Sequence, residues 1–309
     1  MAKPKVTVVG AGFVGATTAQ RLVEKGLADV VLTDVVEGLA QGKALDMMES
    51  APIEGFRTKI TGTNGYEETA DSDVVVVTAG LARKPGMSRD DLLFKNAEIV
   101  STVISQCAKY SPKAILLMVT NPLDVMTYLA WKKSGFDPKR VFGMAGALDS
   151  ARMAYFIAEE LGCAPSEVEA MVLGGHGDEM VPVPEHTKVK GKPITQLMKK
   201  EKIEAINQRT RDGGAEIVKY LKTGSAFYAP SSSVVRMVKA IFEGTGEVIP
   251  SCVYLTGQYG LKDVYCGVPA RLGQGGVKEV VELELTPEEK AALETSAAHV
   301  RENCAKLSL

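Results

Sequence analysis

Five short apolar runs punctuate the first half of the chain: KVTVV (5–9), DVVLT (29–33), DVVVVTA (73–79), AILLMV (114–119) and RVFGM (140–144). Most lack the polar alternation of a half-exposed strand. Side chains alternate across a strand, so a run that is apolar at every position needs cover on both faces. The stretches between the runs have helical periodicity, for instance 13–25 and 91–109. Repeated strand–helix–strand order predicts an α/β fold, a doubly wound parallel sheet with right-handed crossovers. Beyond Gly146 the pattern changes. EAMVLGGHGDEMVPV (169–183) mixes strand and turn signals, 201–222 and 225–243 predict helices, and 248–257 and 264–268 predict strands. A charged amphipathic helix is expected over 286–306, with Thr286 as N-cap, Pro287 at its first position and Glu289 closing a capping box. The expected division is a doubly wound domain over 1–145 and a mixed α+β domain over 146–309.

Bulk numbers narrow the function classes. The chain has 309 residues, 45% hydrophobic and 24% charged, with net charge −2. That balance gives no general attraction to nucleic acid or an anionic membrane, so any preference for anions must be local. The longest apolar runs are too short to span a bilayer, and a strand beginning near residue 5 leaves no room for a signal peptide. Five cysteines with no CxxC pair suggest neither a disulfide framework nor a zinc cluster. A reducing cytoplasm and no metal are the expectations.

The most specific local signal is KVTVVGAGFVGATTAQRL, which places Gly10, Gly12 and Gly15 as G-x-G-x-x-G between a strand and an amphipathic helix. Gly10 allows the tight turn, Gly12 lets backbone approach a pyrophosphate, and Gly15 permits close helix–strand packing. The intervening Ala11, Phe13 and Val14 would carry the phosphate-facing backbone. Asp34 ends the second strand, where a ribose-binding acid is expected; its carboxylate favours NAD over NADP by repelling a 2′-phosphate.

Three histidines are available for proton transfer. His299 falls in the charged terminal helix and His186 has no obvious partner. His176, in LGGHGD, sits between glycines after an apolar run, suited either to a cleft or to a structural role. Asp149 and Arg152 lie three residues apart in GALDSARMAYF; a local ion pair and a carboxylate–imidazole plus substrate-anchor arrangement both fit that spacing. LMVTNPLDV ends a strand at Val119-Thr120-Asn121, and ligands of open α/β sheets bind beyond such carboxyl ends. GLARKPGMSRDD (80–91) gathers Arg83, Lys84 and Arg89 in a breakable loop, either a solvated surface or a clamp for an anion.

In VVGAGFVG, VTNP, LDSAR and GGHGDEMVP, taken in order, the chain resembles the lactate/malate dehydrogenases over essentially its whole length. The resemblance implies a Rossmann-type NAD-binding domain followed by a catalytic domain. It implies His176 as general acid/base, Asp149 as its partner, and Arg152 as the bidentate anchor of the substrate's C1 carboxylate. Arg89 would polarise the reacting carbonyl. Asn121 would contact substrate and cofactor, Ser225 would sit near both, and Asn96 would lie beside the cofactor with Val119 and Thr120. A cis Asn121-Pro122 peptide is expected. Arg83 resembles the malate-type position, facing a second carboxylate where lactate enzymes usually carry Gln, and the 80–91 loop becomes a closing lid. The overall pattern looks most like the lactate-dehydrogenase-like branch of malate enzymes. Malate and oxaloacetate are then the substrates, in a homotetramer or a homodimer. The alternatives are a lactate or other 2-hydroxy acid dehydrogenase and, in a different class, a protein that holds NAD without chemistry.

Overall fold

The computed structural model describes residues 3–82 and 86–307. Its first half runs β1 (Lys5–Val9), α1 (Phe13–Glu24), β2 (Asp29–Thr33), α2 (Leu39–Glu54), β3 (Ile60–Thr63), β4 (Val74–Val77), α3 (Arg89–Tyr110), β5 (Ile115–Met118), α4 (Leu123–Ser134) and β6 (Val141–Gly143). The second half follows with α5 (Gly146–Leu161), β7 (Val168–Glu169), β8 (Val172–Gly174), β9 (Met180–Pro182), β10 (Lys188–Val189) and β11 (Lys192–Pro193). It ends with α6 (Lys200–Leu221), α7 (Tyr228–Glu243), β12 (Val248–Thr256), β13 (Lys262–Gly273), β14 (Gly276–Val280) and α8 (Pro287–Ala305).

The apolar runs behave as their two-sided composition demands. On one face of the sheet Val6, Val8, Val74, Val76, Ile115 and Leu117 pack with α1 residues such as Ala19 and Leu22. On the other, Val75, Val77, Leu116 and Met118 pack with Val100 and Ile104 of α3 and Met126 and Leu129 of α4. Each of these valines and leucines is at most a few per cent exposed, so each contributes roughly 1.5–3 kcal/mol of transfer free energy.

Nine strands form one sheet in the order β14-β13-β12-β6-β5-β4-β1-β2-β3. From β6 to β3 every pairing is parallel. Beyond β6, β12, β13 and β14 continue the sheet antiparallel. The chain order reverses beside β1 and β4, and the crevice beyond the carboxyl ends of those strands is where such sheets bind ligands.

Most expected elements lie within a residue or two of their sequence positions, and two differ. The helix expected from 225 begins at Tyr228, leaving Ser225 in an exposed connection. The strand expected over 264–268 extends over Lys262–Gly273, because β12 pairs with residues 262–271 on one side and β14 pairs with 270–273 on the other. The edge strand β3 has too little apolar character to stand out; ITGT is held by pairing with β2. The capping box at α8 forms as read, Thr286 accepting from the Glu289 N–H and Glu289 from the Thr286 N–H.

Candidate active site

At the crest of the sheet, the glycine turn packs without spare room. A Cβ on Gly15 would overlap the Gly10 carbonyl oxygen, and one on Gly10, whose φ is 102°, would meet the Thr78 hydroxyl at 2.7 Å. A Cβ on Gly12 would meet nothing. Gly12 is also the N-cap of α1 and supplies no side-chain cap, so the first N–H groups of that helix, at its positive dipole end, have no side-chain partner there. Beside them Asp34 accepts from the Ala11 N–H at 2.6 Å and the Val36 N–H at 2.9 Å. Both oxygens retain further acceptor capacity. Lys43 donates to the Ala11 carbonyl at 2.6 Å and lies over the Phe13 ring, which itself stacks on Phe227 at 5.1 Å. Val14 is half-buried.

Across the crevice, Val119-Thr120-Asn121 follows β5, and the Asn121-Pro122 peptide is cis. Thr120 is buried and donates to the Ala79 carbonyl at 2.7 Å. Asn121 has an exposed side chain. Asn96 is fully buried, and its amide accepts from the Leu81 N–H and donates to the carbonyls of Leu81 and Asn121. It therefore ties the start of the 80–91 segment to the Asn-Pro turn.

His176 rides on the tight connection between β8 and β9, flanked by Gly174 and Gly177 at φ 83° and 123°. Its Nδ1 lies 2.9 Å from Oδ2 of Asp149, whose carboxylate is 2% exposed in the first turn of α5. Oδ1 of the same carboxylate is 3.4 Å from Arg152 Nη1. Spacing alone left open a local ion pair or a shared carboxylate; Asp149 does both.

Burial by itself would push the His176 imidazolium down, but the Asp149 carboxylate outweighs it, helped by Asp124 and opposed by Arg152. The net result is an imidazole raised above its ordinary value. With the carboxylate at Nδ1, that nitrogen carries the proton and Nε2 the lone pair. Arg152 is only 13% exposed and its Nε is buried without a hydrogen-bond partner. Desolvation accordingly lowers its pKa, with Asp149 opposing. A buried guanidinium donor left unsatisfied costs on the order of 1–3 kcal/mol, which an arriving carboxylate would offset. Gly213 lies against the Arg152 methylenes within α6, where a Cβ would sit 3.2 Å from Cδ.

Arg89 opens α3 and its guanidinium meets Asp178 at 2.7 Å, both side chains being largely exposed. The pair joins the end of the 80–91 segment to the His176 connection. Arg83 and Lys84 lie outside the described residues. Of the other histidines, His186, expected to lack a partner, has its Nε2 2.7 Å from the Glu284 carbonyl. The half-exposed His299 lies 3.1 Å from Glu179. Sequence reasoning missed Asp124, whose Oδ2 accepts from the His176 N–H at 2.9 Å. A carboxylate inside the buried start of an apolar helix is the signal that could have found it. Among the described residues there is no cluster of metal-ligating side chains, and no helix is long and apolar enough to cross a membrane.

The family description "lactate/malate dehydrogenase, NAD binding domain" matches residues 4–143, and "lactate/malate dehydrogenase, alpha/beta C-terminal domain" matches 146–308. The chain belongs to the lactate/malate dehydrogenase family. It is 57% identical to the malate dehydrogenase of Chloroherpeton thalassium over 98% of each chain. It is 58% identical to that of Synechocystis over 97% of this chain and 92% of the relative. The solved malate dehydrogenase of Salinibacter ruber superposes with TM-score 0.94 at 50% identity, covering 98% of this chain and 97% of the other. The lactate dehydrogenase of Cryptosporidium parvum, solved with lactic acid and nicotinamide adenine dinucleotide, gives 0.96 at 40% identity, covering 99% and 98%. Within this family the fold alone therefore does not select the substrate.

Proposed function

We propose that this chain is an NAD-dependent malate dehydrogenase that interconverts (S)-malate and oxaloacetate, and that it is of the lactate-dehydrogenase-like branch. The observation that carries the chemistry is one buried group: His176 on the Asp149 carboxylate, with the under-satisfied Arg152 guanidinium on the same carboxylate. The curated relatives named above support the choice of substrate.

The glycine turn fits the dinucleotide. Room over Gly12, the uncapped start of α1 and the acceptor oxygens of Asp34 match a diphosphate and a ribose diol. Gly10, Ala11, Gly12, Phe13, Val14, Gly15 and Asp34 would hold the adenosine half, with Asn96, Val119, Thr120 and Asn121 shaping the nicotinamide end. When bound, NAD supplies the acceptor for the C2 hydride.

Arg152 grips the C1 carboxylate and Arg83 the C4 carboxylate. His176, neutral with its Nε2 lone pair available, takes the C2 hydroxyl proton, and Asp149 stabilises the imidazolium that forms. In reduction the imidazolium returns the proton, while Arg89, released from Asp178 as the segment closes, steadies charge on the reacting oxygen. Asn121 and Ser225 complete the substrate's surroundings. The residue that separates this reading from a lactate dehydrogenase is Arg83. Replacing Arg83 with Gln should swing preference from oxaloacetate towards pyruvate; unchanged selectivity would remove the case for a second carboxylate.

The division at residues 145/146 is part of the same reading, supported by the break between the two family matches. So is self-association as a homotetramer, or failing that a homodimer, for which exposed Ile53, Tyr220 and Tyr228 supply apolar surface. Light scattering behind size exclusion measures the count. A cytoplasmic setting is supported by five free cysteines.

A further inference from the structure

Asp124 occupies the first turn of α4, two residues beyond the cis Asn121-Pro122 peptide, and is 5% exposed. Its Oδ2 accepts the His176 backbone N–H at 2.9 Å. The neighbouring Gly175 N–H donates to Ser296 Oγ of α8 at 2.7 Å, and that serine is fully buried. Two consecutive peptide N–H groups of the histidine connection are thus held by side chains from two different helices. A third element packs beneath: a Cβ on Gly267 of β13 would overlap the Gly174 carbonyl.

This arrangement solves a problem that the Asp149 contact leaves open. Asp149 fixes the imidazole ring at Nδ1, but the ring hangs from a connection flanked by two positive-φ glycines. Glycine is the residue that least restricts its own backbone. A general acid/base must be held to within a fraction of an ångström, so the main chain of residue 176 needs its own restraint. Asp124 is costly to bury. Burial pushes its carboxyl up, against the His176 N–H and the Cys252 thiol that hold it down, and its Oδ1 has no hydrogen-bond partner. A side chain with only a packing role would not carry that burden.

We propose that Asp124 is a positioning residue for His176, and that Ser296 completes the clasp by holding Gly175. The proposal rests on the functional reading of His176 given above. Because α4 also begins at the Asn-Pro turn, the clasp sets the histidine in register with Asn121.

The test compares Asp124→Ala, Asp124→Asn and Ser296→Ala with the parent. Each is followed by steady-state kinetics with NADH and oxaloacetate, NADH binding by fluorescence, and hydrogen exchange of the 174–177 amides. Asp124→Ala should lower kcat by roughly 10- to 100-fold, the usual cost of removing a group that orients a catalytic one, with NADH affinity and KM little changed. Asp124→Asn keeps an acceptor oxygen for the His176 N–H and should recover kcat to within about threefold of the parent. Exchange at 175–176 should accelerate in both truncations and not in the amide variant. If Asp124→Ala does not fold, Ser296→Ala must still lower kcat and speed exchange at 175. Unchanged kcat and exchange in the truncations, or an Asn variant as impaired as the Ala one, would overturn the clasp. Hydrogen exchange reads it even if oxaloacetate is not the substrate. A parent chain inactive with oxaloacetate would refute the functional reading alone.

Discussion

His176 Nδ1 and Asp149 Oδ2 meet at 2.9 Å across 27 residues of sequence, and the carboxylate is almost completely shielded from water. The pair fixes the sign of the pH dependence. With His176 as the proposed general acid/base, reduction of oxaloacetate needs imidazolium, present below the His176 pKa, so the raised value carries reduction to higher pH. Oxidation of malate needs neutral imidazole and rises through the same pKa. Asp149→Asn removes the carboxylate that outweighs burial, so both limbs should move to lower pH, with turnover down by at least roughly 10². The pH profile of kcat/KM checks this. A limb that stays put or moves upward would contradict the assigned pair.

His176→Asn should leave NADH affinity largely intact and cut turnover by about 10² or more. Fluorescence titration and initial rates on the same preparation separate the two effects. Near-normal turnover would remove the general acid/base.

Two glycines in one motif should fail differently. Ala at Gly15 drives a methyl into the Gly10 carbonyl and should lower stability by roughly 1–3 kcal/mol, as overpacking does. Ala at Gly12 meets no protein atom, so stability should change by no more than about 1 kcal/mol while NADH affinity falls. Thermal melts with and without NADH distinguish them; a Gly12→Ala variant binding NADH normally would relocate the diphosphate.

With Asp34 facing the ribose as proposed, Asp34→Ser removes a charge that would repel a 2′-phosphate, and the ratio of kcat/KM for NADPH to NADH should rise. The Asp34 carboxylate also accepts from the Ala11 and Val36 N–H groups, so some loss with NADH is expected too. An unchanged ratio would mean that the ribose lies elsewhere.

Much of this was legible because local chemistry and global fold agree. The valine runs at 74–77 and the leucines at 116–117 announced a two-sided sheet, and they pack on both faces. The glycine turn was readable from its spacing between a strand and an amphipathic helix, and of its three glycines only Gly12 has room for a Cβ. What sequence could not supply was convergence. Asp149 shared between His176 and Arg152 is a matter of how α5 meets the β8–β9 connection, and no spacing encodes it. Ser225, read into a helix, falls in the exposed connection before α7. The Asp124 contact carried no legible signal because its partner is a backbone N–H 52 residues away. Ser296, inside a helix read only as charged and amphipathic, offered no signal at all.

The proposed chemistry turns on a diacid held by Arg152 and Arg83 beside the His176 imidazole. Initial rates of NADH oxidation with oxaloacetate and with pyruvate, at matched concentrations, test it most directly. Oxaloacetate should be preferred by on the order of 10⁴ in kcat/KM, the discrimination expected when a site built to pair a charged group finds it missing. Equal rates with the two acids, or a preference for pyruvate, would contradict it.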